Sequence, residues 1–550
     1  MTASANDPGT APRAERRAGR AAWLVLGAAG AVLVLHTLAY NFVTDDAYIS
    51  FVYARNLAEH GELSFNLGQP VEGYTSFLWT FVVGLGMLAR IPPEWSSRVL
   101  GAACGLATLY VVFQLAGRAL GRRTPWAALP ALLLACSSGF ACWTSGGLET
   151  ALFTLLVAGA LDAVIAAPAE PAALRRAGVW LALASMTRPE GPMVAAVLGA
   201  VWLGHRIAAR RRPEALARGV RDEAIAAAWF VGLWAPWFAW RWWYYGWLFP
   251  NTYYVKASGP WLAPELPRQM LSNGVYYVWV WLRQSHVLHA APLALIGLAW
   301  VRRGTPRALL AAASAALAAV YLAYAVSVGG DFMGLHRFIL PVFVLAALAV
   351  GLGAERLAGV LARRAALAGP VIAAVVVAGF AVTQLQLTRA SLRWGNFDSD
   401  RGIDTPAYLI AYTEDRAAIG RAMASCLGPD DFSIVGGAGA QPYYGRMRGI
   451  DVFGLVSDRI AHDEPRVRAR AGHTKFGSDP LLASYDPTLV FSCYQIRAAP
   501  DAPPMPCAGF WLARGFEPVT LRVAGLRQQG EYYTFLARKD RRFACPGRVR

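Results

Sequence analysis

Thr44-Asp45-Asp46-Ala47-Tyr48-Ile49-Ser50-Phe51 follows the first hydrophobic segment of the chain and sets two adjacent carboxylates beside a membrane surface. Ionisable groups at a membrane boundary are unfavourable unless they are solvated, paired or used in function. We interpret residues 43–95 as an outer loop over the mouth of a helical bundle. Asp45 and Asp46 are therefore the first candidates for a chemical role at the boundary between lipid and water.

The composition is typical of a polytopic membrane protein. The 550 residues are 56% hydrophobic and 16% charged, and 20 Trp and 21 Tyr suit the aromatic belts of membrane interfaces. The net charge of +17 could suggest nucleic acid, but most arginines lie in short segments between apolar stretches. Arginines in such segments direct membrane topology, so we exclude nucleic acid as a partner.

Eleven apolar segments are predicted to cross the membrane. They are 21–42, 97–117, 125–143, 148–167, 174–187, 190–205, 222–243, 287–301, 308–328, 338–354 and 366–388. The apolar segment 76–91 is assigned to the outer interface as a juxtamembrane helix, because another span would move Arg118, Arg122 and Arg123 to the outer side. With most arginines inside, the basic N-terminus (1–20) is cytoplasmic and the region after residue 389 lies outside.

Residues 389–550 are more polar and are predicted to form an α/β domain outside the membrane. Residues 433–435, 488–491 and 532–536 are predicted buried strands, and 401–427 has helical character. The segment Gly436-Gly437-Ala438-Gly439 is interpreted as a turn, because the acidic partner and full spacing of a phosphate-binding loop are absent.

Four of the seven cysteines, Cys426, Cys493, Cys507 and Cys545, fall in this outer region. An oxidising compartment favours disulfides there, and no CxxC spacing points to a metal site. We predict the pair Cys493–Cys507. The other three cysteines lie within predicted spans and are interpreted as packing residues.

Further polar groups fall on the predicted outer side of the bundle. They are Arg55, Glu72, Tyr74, Glu149, Arg188, Glu190, Lys256, Asp331, His336 and Arg337. Simpler explanations exist: Glu149 could stabilise a helix N-terminus, Arg188 could pair with Glu190, and Arg55 could extend to the interface. Their convergence on one side favours a functional site. A helix break at 188–191 would be tolerated only where it lines a cavity.

Such a set suits group transfer from a lipid phosphate. Arg188, Lys256 and Arg337 can bind an anionic phosphate, and we add Arg55 and His336 to the candidate donor-binding residues. Asp45 or Asp46 can accept the proton of an acceptor hydroxyl. A divalent cation could be held by carboxylates and the phosphate, although no cage built by the protein alone is evident.

The same stretches resemble the GT-C membrane glycosyltransferases, which take sugars from polyprenyl-phosphate carriers. A narrower resemblance is to the terminal β(1→2) arabinofuranosyltransferases of mycobacterial cell-wall arabinan. It is carried by Asp45-Asp46-Ala47-Tyr48-Ile49-Ser50-Phe51 with its continuation to Asn56, and by 65–75, 187–191, 329–332, 451–455, 460–462 and 472–475.

The resemblance implies a GT-C fold over residues 21–388 and a donor such as decaprenyl-phosphate arabinofuranose. The implied acceptor is a hydroxyl on a cell-envelope glycan, lipid or protein at the outer face of the cytoplasmic membrane. It also implies that an Asp of the first outer loop is the catalytic base, with Asp45 and Asp46 as alternatives. Substrate contacts are expected from Glu72, Tyr74, Glu149, Glu190, Asp331, His462, His473 and Lys475.

Two other classes of function remain open. A flippase or transporter of lipid-linked sugars would also combine many spans with intramembrane charges, but it would tend to show paired half-repeats, which we do not find. A glycan-binding membrane scaffold would not need adjacent carboxylates at the bilayer surface. We therefore favour the enzyme.

Overall fold

The computed structural model describes residues 13–209, 220–256, 265–393 and 402–549, apart from single residues at 300, 303, 366, 502 and 542. Most of the predicted cytoplasmic N-terminus (1–20) lies outside the described residues. So does the segment 394–401, which is close to the predicted domain boundary at 389 and includes the start of the predicted helix 401–427.

Sixteen helices precede the C-terminal region in the described residues. In chain order they are α1 (Arg13–Tyr40), α2 (Asp45–His60), α3 (Phe77–Leu88), α4 (Pro93–Leu120), α5 (Pro125–Cys136), α6 (Ser138–Ser145), α7 (Thr150–Ala166), α8 (Ala173–Thr187), α9 (Gly191–Ala209), α10 (Arg221–Tyr245), α11 (Asn251–Lys256), α12 (Leu266–Gln284), α13 (Val287–Leu298), α14 (Pro306–Ser327), α15 (Leu340–Leu361) and α16 (Ala368–Ser391). A short 3₁₀ segment, Gly334–Ile339, leads into α15.

The chain is a multi-pass membrane protein. Six of the described helices are long and apolar enough to cross a membrane: α1, α4, α9, α14, α15 with its 3₁₀ segment, and α16. The pair α5 and α6, bent by 66°, could form a seventh span. Helices coincide with all eleven predicted spans, but α7, α8 and α13 are short and α10 is less apolar. The predicted count of eleven spans is therefore not confirmed.

Close contacts at glycines bring neighbouring helices together. Gly178 on α8 packs against the backbone of Ala226 on α10, and Gly274 on α12 packs against Val326 near the end of α14. A Cβ atom at either glycine would collide with the neighbouring carbonyl group. Small residues at such crossings let helix backbones approach closely in a membrane, where van der Waals packing drives helix association.

The C-terminal region contains a five-stranded sheet. Its strands are β1 (Ser433–Val435), β2 (Gly449–Asp451), β3 (Leu489–Arg497), β4 (Phe516–Arg522) and β5 (Tyr532–Arg538), and their spatial order is β2-β1-β3-β5-β4. β1 pairs in parallel with β2 and β3, whereas β5 runs antiparallel to β3 and β4. The three predicted strands are confirmed as β1, β3 and β5.

Five helices accompany the sheet: α17 (Pro406–Met423), α18 (Ala440–Gly445), α19 (Asp458–Asp463), α20 (Asp479–Ala483) and α21 (Gly509–Leu512). One face of the sheet buries Phe491 and Phe535 with Ile419 of α17, and the other face buries Trp511 of α21. The predicted disulfide Cys493–Cys507 is confirmed, and Cys426–Cys545 forms a second one.

The predicted outer loop, 43–95, is largely helical, and α2 is its central element. α2 begins at Asp45, and both carboxylates lie in its first turn, where they stabilise a helix N-terminus. Residues three or four positions apart share a helix face. Asp46, Ile49 and Ser50 form the face directed to the membrane helices, whereas Asp45 and Tyr48 face the C-terminal region.

Candidate functional site

A cavity of about 160 Å³ lies where several membrane helices meet α2 at their ends. More than half of the predicted site residues line it: Asp46, Tyr74, Glu149, Arg188, Glu190, Lys256, Asp331 and Arg337. Two residues of the C-terminal region, Leu455 and Gly472, also contribute to its wall. The structure therefore brings together polar groups that are spread over about three hundred positions of sequence.

Arg188 lies at the break between α8 and α9 and is paired with two carboxylates. Its Nη1 donates to Glu149 Oε1 at 2.6 Å, and its Nε and Nη2 donate to the two oxygens of Glu190 at 3.1 and 3.0 Å. All three side chains are buried. The chain leaves the helical conformation between α8 and α9, where the sequence left a broken helix open, and these residues line the cavity. The pairing of Arg188 with Glu190, one of the simpler explanations considered from the sequence, is present.

Arg337 and Asp331 form the second ion pair of the cavity. Arg337 Nε donates to Asp331 Oδ2 at 2.9 Å, and both side chains are buried. The intervening turn places Leu335 and His336 in the left-handed region, with φ of 56° and 60°. This unusual backbone folds the segment before α15 back on itself, so that both charged groups reach the cavity.

Asp46 and Lys256 remain without such a partner. Neither side chain forms a hydrogen bond or salt bridge with another residue in the part of the chain that the structure describes, although both line the cavity. Burial raises the pKa of Asp46, an effect that the positive charges of Lys256 and Arg337 oppose. Burial likewise lowers the pKa of Lys256. Asp46 and Lys256 are therefore available to a ligand.

Asp45 points away from the cavity. Its Oδ1 accepts a hydrogen bond from the backbone N–H of Ala440 at 2.8 Å. Burial raises its pKa to about 6, although this hydrogen bond acts in the opposite direction. The segment 436–439 follows β1 as a turn, as predicted, and it packs on the Asp45 carboxylate.

Glu72 forms a closed pair outside the cavity lining. Arg241 donates to it through Nε at 2.9 Å and Nη2 at 2.6 Å, and its Nη1 donates to the carbonyl of Leu248. Both side chains are buried. Sequence reasoning named Glu72 as a substrate contact and missed Arg241 as its partner, although Arg241 lies in the aromatic run that ends α10.

Two predicted donor-binding residues also lie outside the cavity lining. Arg55 Nη1 donates to the backbone carbonyl of Tyr443 at 2.7 Å, so it contacts the C-terminal region. His336 is buried, with its ring 4.9 Å from the ring of Tyr277. Their roles in donor binding stay predictions that their positions do not favour.

The three predicted residues of the C-terminal region, His462, His473 and Lys475, do not line the cavity. His462 stacks on Trp247, with ring centroids 3.6 Å apart. His473 is enclosed by the rings of Phe332 and Phe453. Lys475 is buried and donates to the carbonyl of Ala461 at 2.7 Å. Burial lowers the pKa of His473 to about 3 and that of Lys475 to about 8.

Sequence reasoning missed several residues of the cavity wall. Thr252 and Tyr253 of α11 line it beside Lys256, and Tyr324 lines it from α14. The segment Asn251-Thr252-Tyr253-Tyr254-Val255 precedes Lys256 directly, so its proximity to Lys256 was the available signal. Among the described residues, no group of three or more His, Cys, Asp or Glu side chains could hold a metal ion.

A larger cavity of about 480 Å³ lies between α5, α13, α15 and α16. Its wall is almost wholly apolar and includes Leu293, Phe343 and Phe380. No Asp, Glu, Lys or Arg occurs among the described residues that line it. His286 and His289 are its titratable residues among those described, and it lacks the carboxylates and the Arg or Lys cations that the smaller cavity combines. The smaller cavity is therefore the candidate active site.

Comparison with known proteins supports the architecture. No family model and no curated protein matches the sequence. The chain is similar to ArnT from Cupriavidus metallidurans in the apo state, with a TM-score of 0.56 and 15% identity over 94% of this chain and 98% of that one. This likeness shows a GT-C-like fold, which is the fold class that the sequence resemblance implied.

Two further solved structures match with lower TM-scores. ArnT from Cupriavidus metallidurans bound to undecaprenyl phosphate gives a TM-score of 0.49 at 17% identity, over 78% of this chain and 85% of that one. The Archaeoglobus fulgidus oligosaccharyltransferase tethered with an acceptor peptide containing the NVT sequon gives 0.42 at 12% identity, over 76% of this chain and 63% of that one.

Proposed function

We propose that the protein is a membrane glycosyltransferase that moves a sugar from a polyprenyl-phosphate donor to an acceptor hydroxyl at the outer face of the cytoplasmic membrane. The observation that carries the proposal is that Asp46 and Lys256 line one cavity and that neither forms a hydrogen bond or salt bridge with another described residue. A carboxylate and a cation at one site are the groups that proton transfer and phosphate departure require.

Asp46 is the proposed base. The acceptor O–H gives its proton to the Asp46 carboxylate while the acceptor oxygen bonds to the anomeric carbon of the donor sugar. The bond from that carbon to the phosphate oxygen breaks, and the phosphate leaves with the electron pair. We choose Asp46 over Asp45 because only Asp46 lines the cavity, whereas Asp45 is hydrogen-bonded to Ala440.

The departing phosphate is proposed to bind Lys256 and Arg337. Arg188 shares its charge between Glu149 and Glu190, so it has less to offer an anion. Arg337 donates to Asp331 through Nε, and its Nη groups, which form no hydrogen bond with the described residues, can bind a ligand. Lys256 has no carboxylate within salt-bridge distance in the described residues, so it is the cation most available to the phosphate. Charge-assisted hydrogen bonds of this type are strong in a dry site.

The sugar and the carrier follow from the sequence resemblance alone. It favours arabinofuranose carried on decaprenyl phosphate, and an acceptor among cell-envelope glycans, lipids or proteins. The C-terminal region is proposed to lie outside the membrane and to face the acceptor, which agrees with its two disulfides.

A transfer assay tests the proposal. Purified protein in detergent receives radiolabelled polyprenyl-phosphate arabinose and an extract of outer-surface glycans from its host. We expect label in a glycan, and a loss of transfer in Asp46→Asn. Use of another polyprenyl-phosphate sugar instead would keep the reaction and change the donor.

The flippase alternative has its own readout. Movement of labelled lipid-linked sugar across vesicle membranes, without transfer from any polyprenyl-phosphate donor, would replace the proposed function. Asp46→Asn would then change transport rather than group transfer.

A further inference from the structure

The two neighbouring carboxylates of α2 have different partners. Asp46 lines the cavity, whereas Asp45 Oδ1 accepts the N–H of Ala440, the first residue of α18, at 2.8 Å. A helix turns by about 100° per residue, so adjacent side chains cannot share one face. The two adjacent carboxylates therefore act at two different places in the structure.

The contact around Asp45 is too close for a side chain at Gly439 of the facing loop. A Cβ atom on Gly439 would collide with both the carboxylate and the backbone carbonyl of Asp45. A Cβ on Gly437 would lie 3.3 Å from Asp45 Oδ2 and from the hydroxyl of Tyr412. Glycine at these positions lets the loop backbone approach the carboxylate.

Other residues of α2 contact the same part of the C-terminal region. The hydroxyl of Tyr48 lies 3.3 Å from that of Tyr444, and Arg55 donates to the carbonyl of Tyr443. Both partners belong to α18, the helix whose first N–H bonds to Asp45. Asp45 thus ends a row of contacts that joins the membrane part to the C-terminal region.

The contact between α2 and α18 is connected to the cavity through a few consecutive residues of the C-terminal region. α18 is followed by β2, and the backbone N–H of Val452 donates to the carbonyl of Val435 at the end of β1. The Asp451 carboxylate then accepts the N–H groups of Phe453 and Val456, which fixes the turn that carries Leu455. Leu455 lines the cavity.

We propose that Asp45 is a positioning residue whose carboxylate fastens the C-terminal region over the cavity, while Asp46 alone exchanges the proton. The second part rests on the proposed function, whereas the first rests on contacts only. The proposal predicts that an amide can replace the Asp45 carboxylate, because its oxygen can still accept the Ala440 N–H. It also predicts that no such exchange is tolerated at Asp46.

Hydrogen exchange and transfer, measured on the same full-length variants in detergent, test both parts. Asp45→Ala removes the acceptor and should speed exchange in the peptide 437–445 roughly tenfold, the effect of losing one hydrogen bond to a charged group. Asp45→Asn should stay within about threefold of the wild type. Gly439→Ala should behave like Asp45→Ala, and Gly509→Ala, at a glycine with no atom within 4 Å of its Cβ position, is the matched control.

Transfer from polyprenyl-phosphate arabinofuranose should follow the same order. We expect Asp45→Ala to lose roughly tenfold, Asp45→Asn to retain most activity, and Asp46→Asn to lose on the order of a hundredfold or more while its exchange stays normal. Thermal unfolding of each variant shows whether it is folded. If Asp45→Ala does not fold, Gly439→Ala is used in its place.

Two results would overturn the proposal. Unchanged exchange in both Asp45→Ala and Gly439→Ala would remove the fastening role. An inactive Asp45→Asn with normal exchange would make Asp45 the base. If the wild-type protein transferred no sugar, the proposed function would fail, and the exchange data would still decide the role of Asp45.

Discussion

The cavity and the Glu72–Arg241 pair contain similar charged groups in different arrangements. At Glu72 every strong contact is made: the guanidinium spans both carboxylate oxygens and also reaches the carbonyl of Leu248. In the cavity two ion pairs are complete, but Asp46 and Lys256 have no hydrogen-bonding partner among the described residues. Buried charge alone therefore does not mark function, and the unpartnered charge beside a cavity is the better indicator.

The comparison also explains how the charge of the cavity is distributed. Arg188 and Arg337 are neutralised by carboxylates before any ligand arrives. Removing one partner of a buried pair leaves an uncompensated charge and destabilises the protein. We therefore expect variants at these arginines to change stability and activity together, whereas Asp46 and Lys256 can be changed with smaller structural consequences.

The largest expected effect is the loss of transfer activity in a variant of Asp46. Asp46→Asn keeps the size of the side chain but removes the base, so the transfer rate should fall by roughly 10²–10⁴-fold, the usual contribution of a general base. Single-turnover transfer measures this effect. Glu72→Gln, assayed at low temperature where it stays folded, should retain the chemical step. Equal losses in the two variants would contradict the distinction between them.

The second effect concerns stability rather than chemistry. Glu72→Gln leaves the buried Arg241 without its counter-charge, and the free energy of unfolding should fall by about 3–5 kcal/mol. Unfolding in detergent, followed by tryptophan fluorescence, measures the change. Glu59 offers a matched control, because its pair with Arg446 is solvent-exposed; Glu59→Gln should shift stability by less than about 1 kcal/mol. A Glu72 variant as stable as the Glu59 variant would make Glu72 a candidate for function again.

A smaller effect is expected at Lys256. Lys256→Met removes a charged donor to the phosphate, and a hydrogen bond of that type contributes about 1.5–3 kcal/mol. The KM for the lipid donor should therefore rise roughly tenfold or more, while the KM for the acceptor changes little. Lys256→Arg keeps the charge and should recover part of the loss. A change in acceptor KM alone would assign Lys256 to the other substrate.

The sequence was informative where physical chemistry acts locally. Long apolar segments, the break at Arg188-Pro189-Glu190 and the strand at Tyr532–Leu536 follow from hydropathy and residue type, and all correspond to elements of the structure. The Cys493–Cys507 pair was also predicted correctly. α12 was not predicted. It is an amphipathic helix with apolar residues on one face and polar residues on the other, and it is too polar to resemble a membrane span.

Partner choice could not be derived from the sequence. Asp45 and Asp46 are identical in type and adjacent, and only the packing of 436–440, almost four hundred positions later, separates them. Glu72 carried the same boundary-charge signal as Glu149, yet its partner Arg241 lies in a distant helix. Long-range pairing decides which charges are satisfied, and periodicity and composition contain no information about it.

The smallest effect uses pH to separate Asp46 from Lys256. Proton acceptance requires ionised Asp46, whose pKa is raised by burial above its usual 3.8, so kcat/KM should fall as the pH drops through this raised value. Phosphate binding requires protonated Lys256, whose pKa burial lowers from 10.5, so kcat/KM should also fall at alkaline pH. In Lys256→Arg the alkaline limb should move to higher pH, because the guanidinium stays charged, while the acid limb stays in place. A pH profile of donor-limited transfer for both proteins measures these limbs. If the alkaline limb did not move in Lys256→Arg, it would belong to another group. Lys256 would then have a structural role like that of Arg241, and it would not be the cation that binds the phosphate.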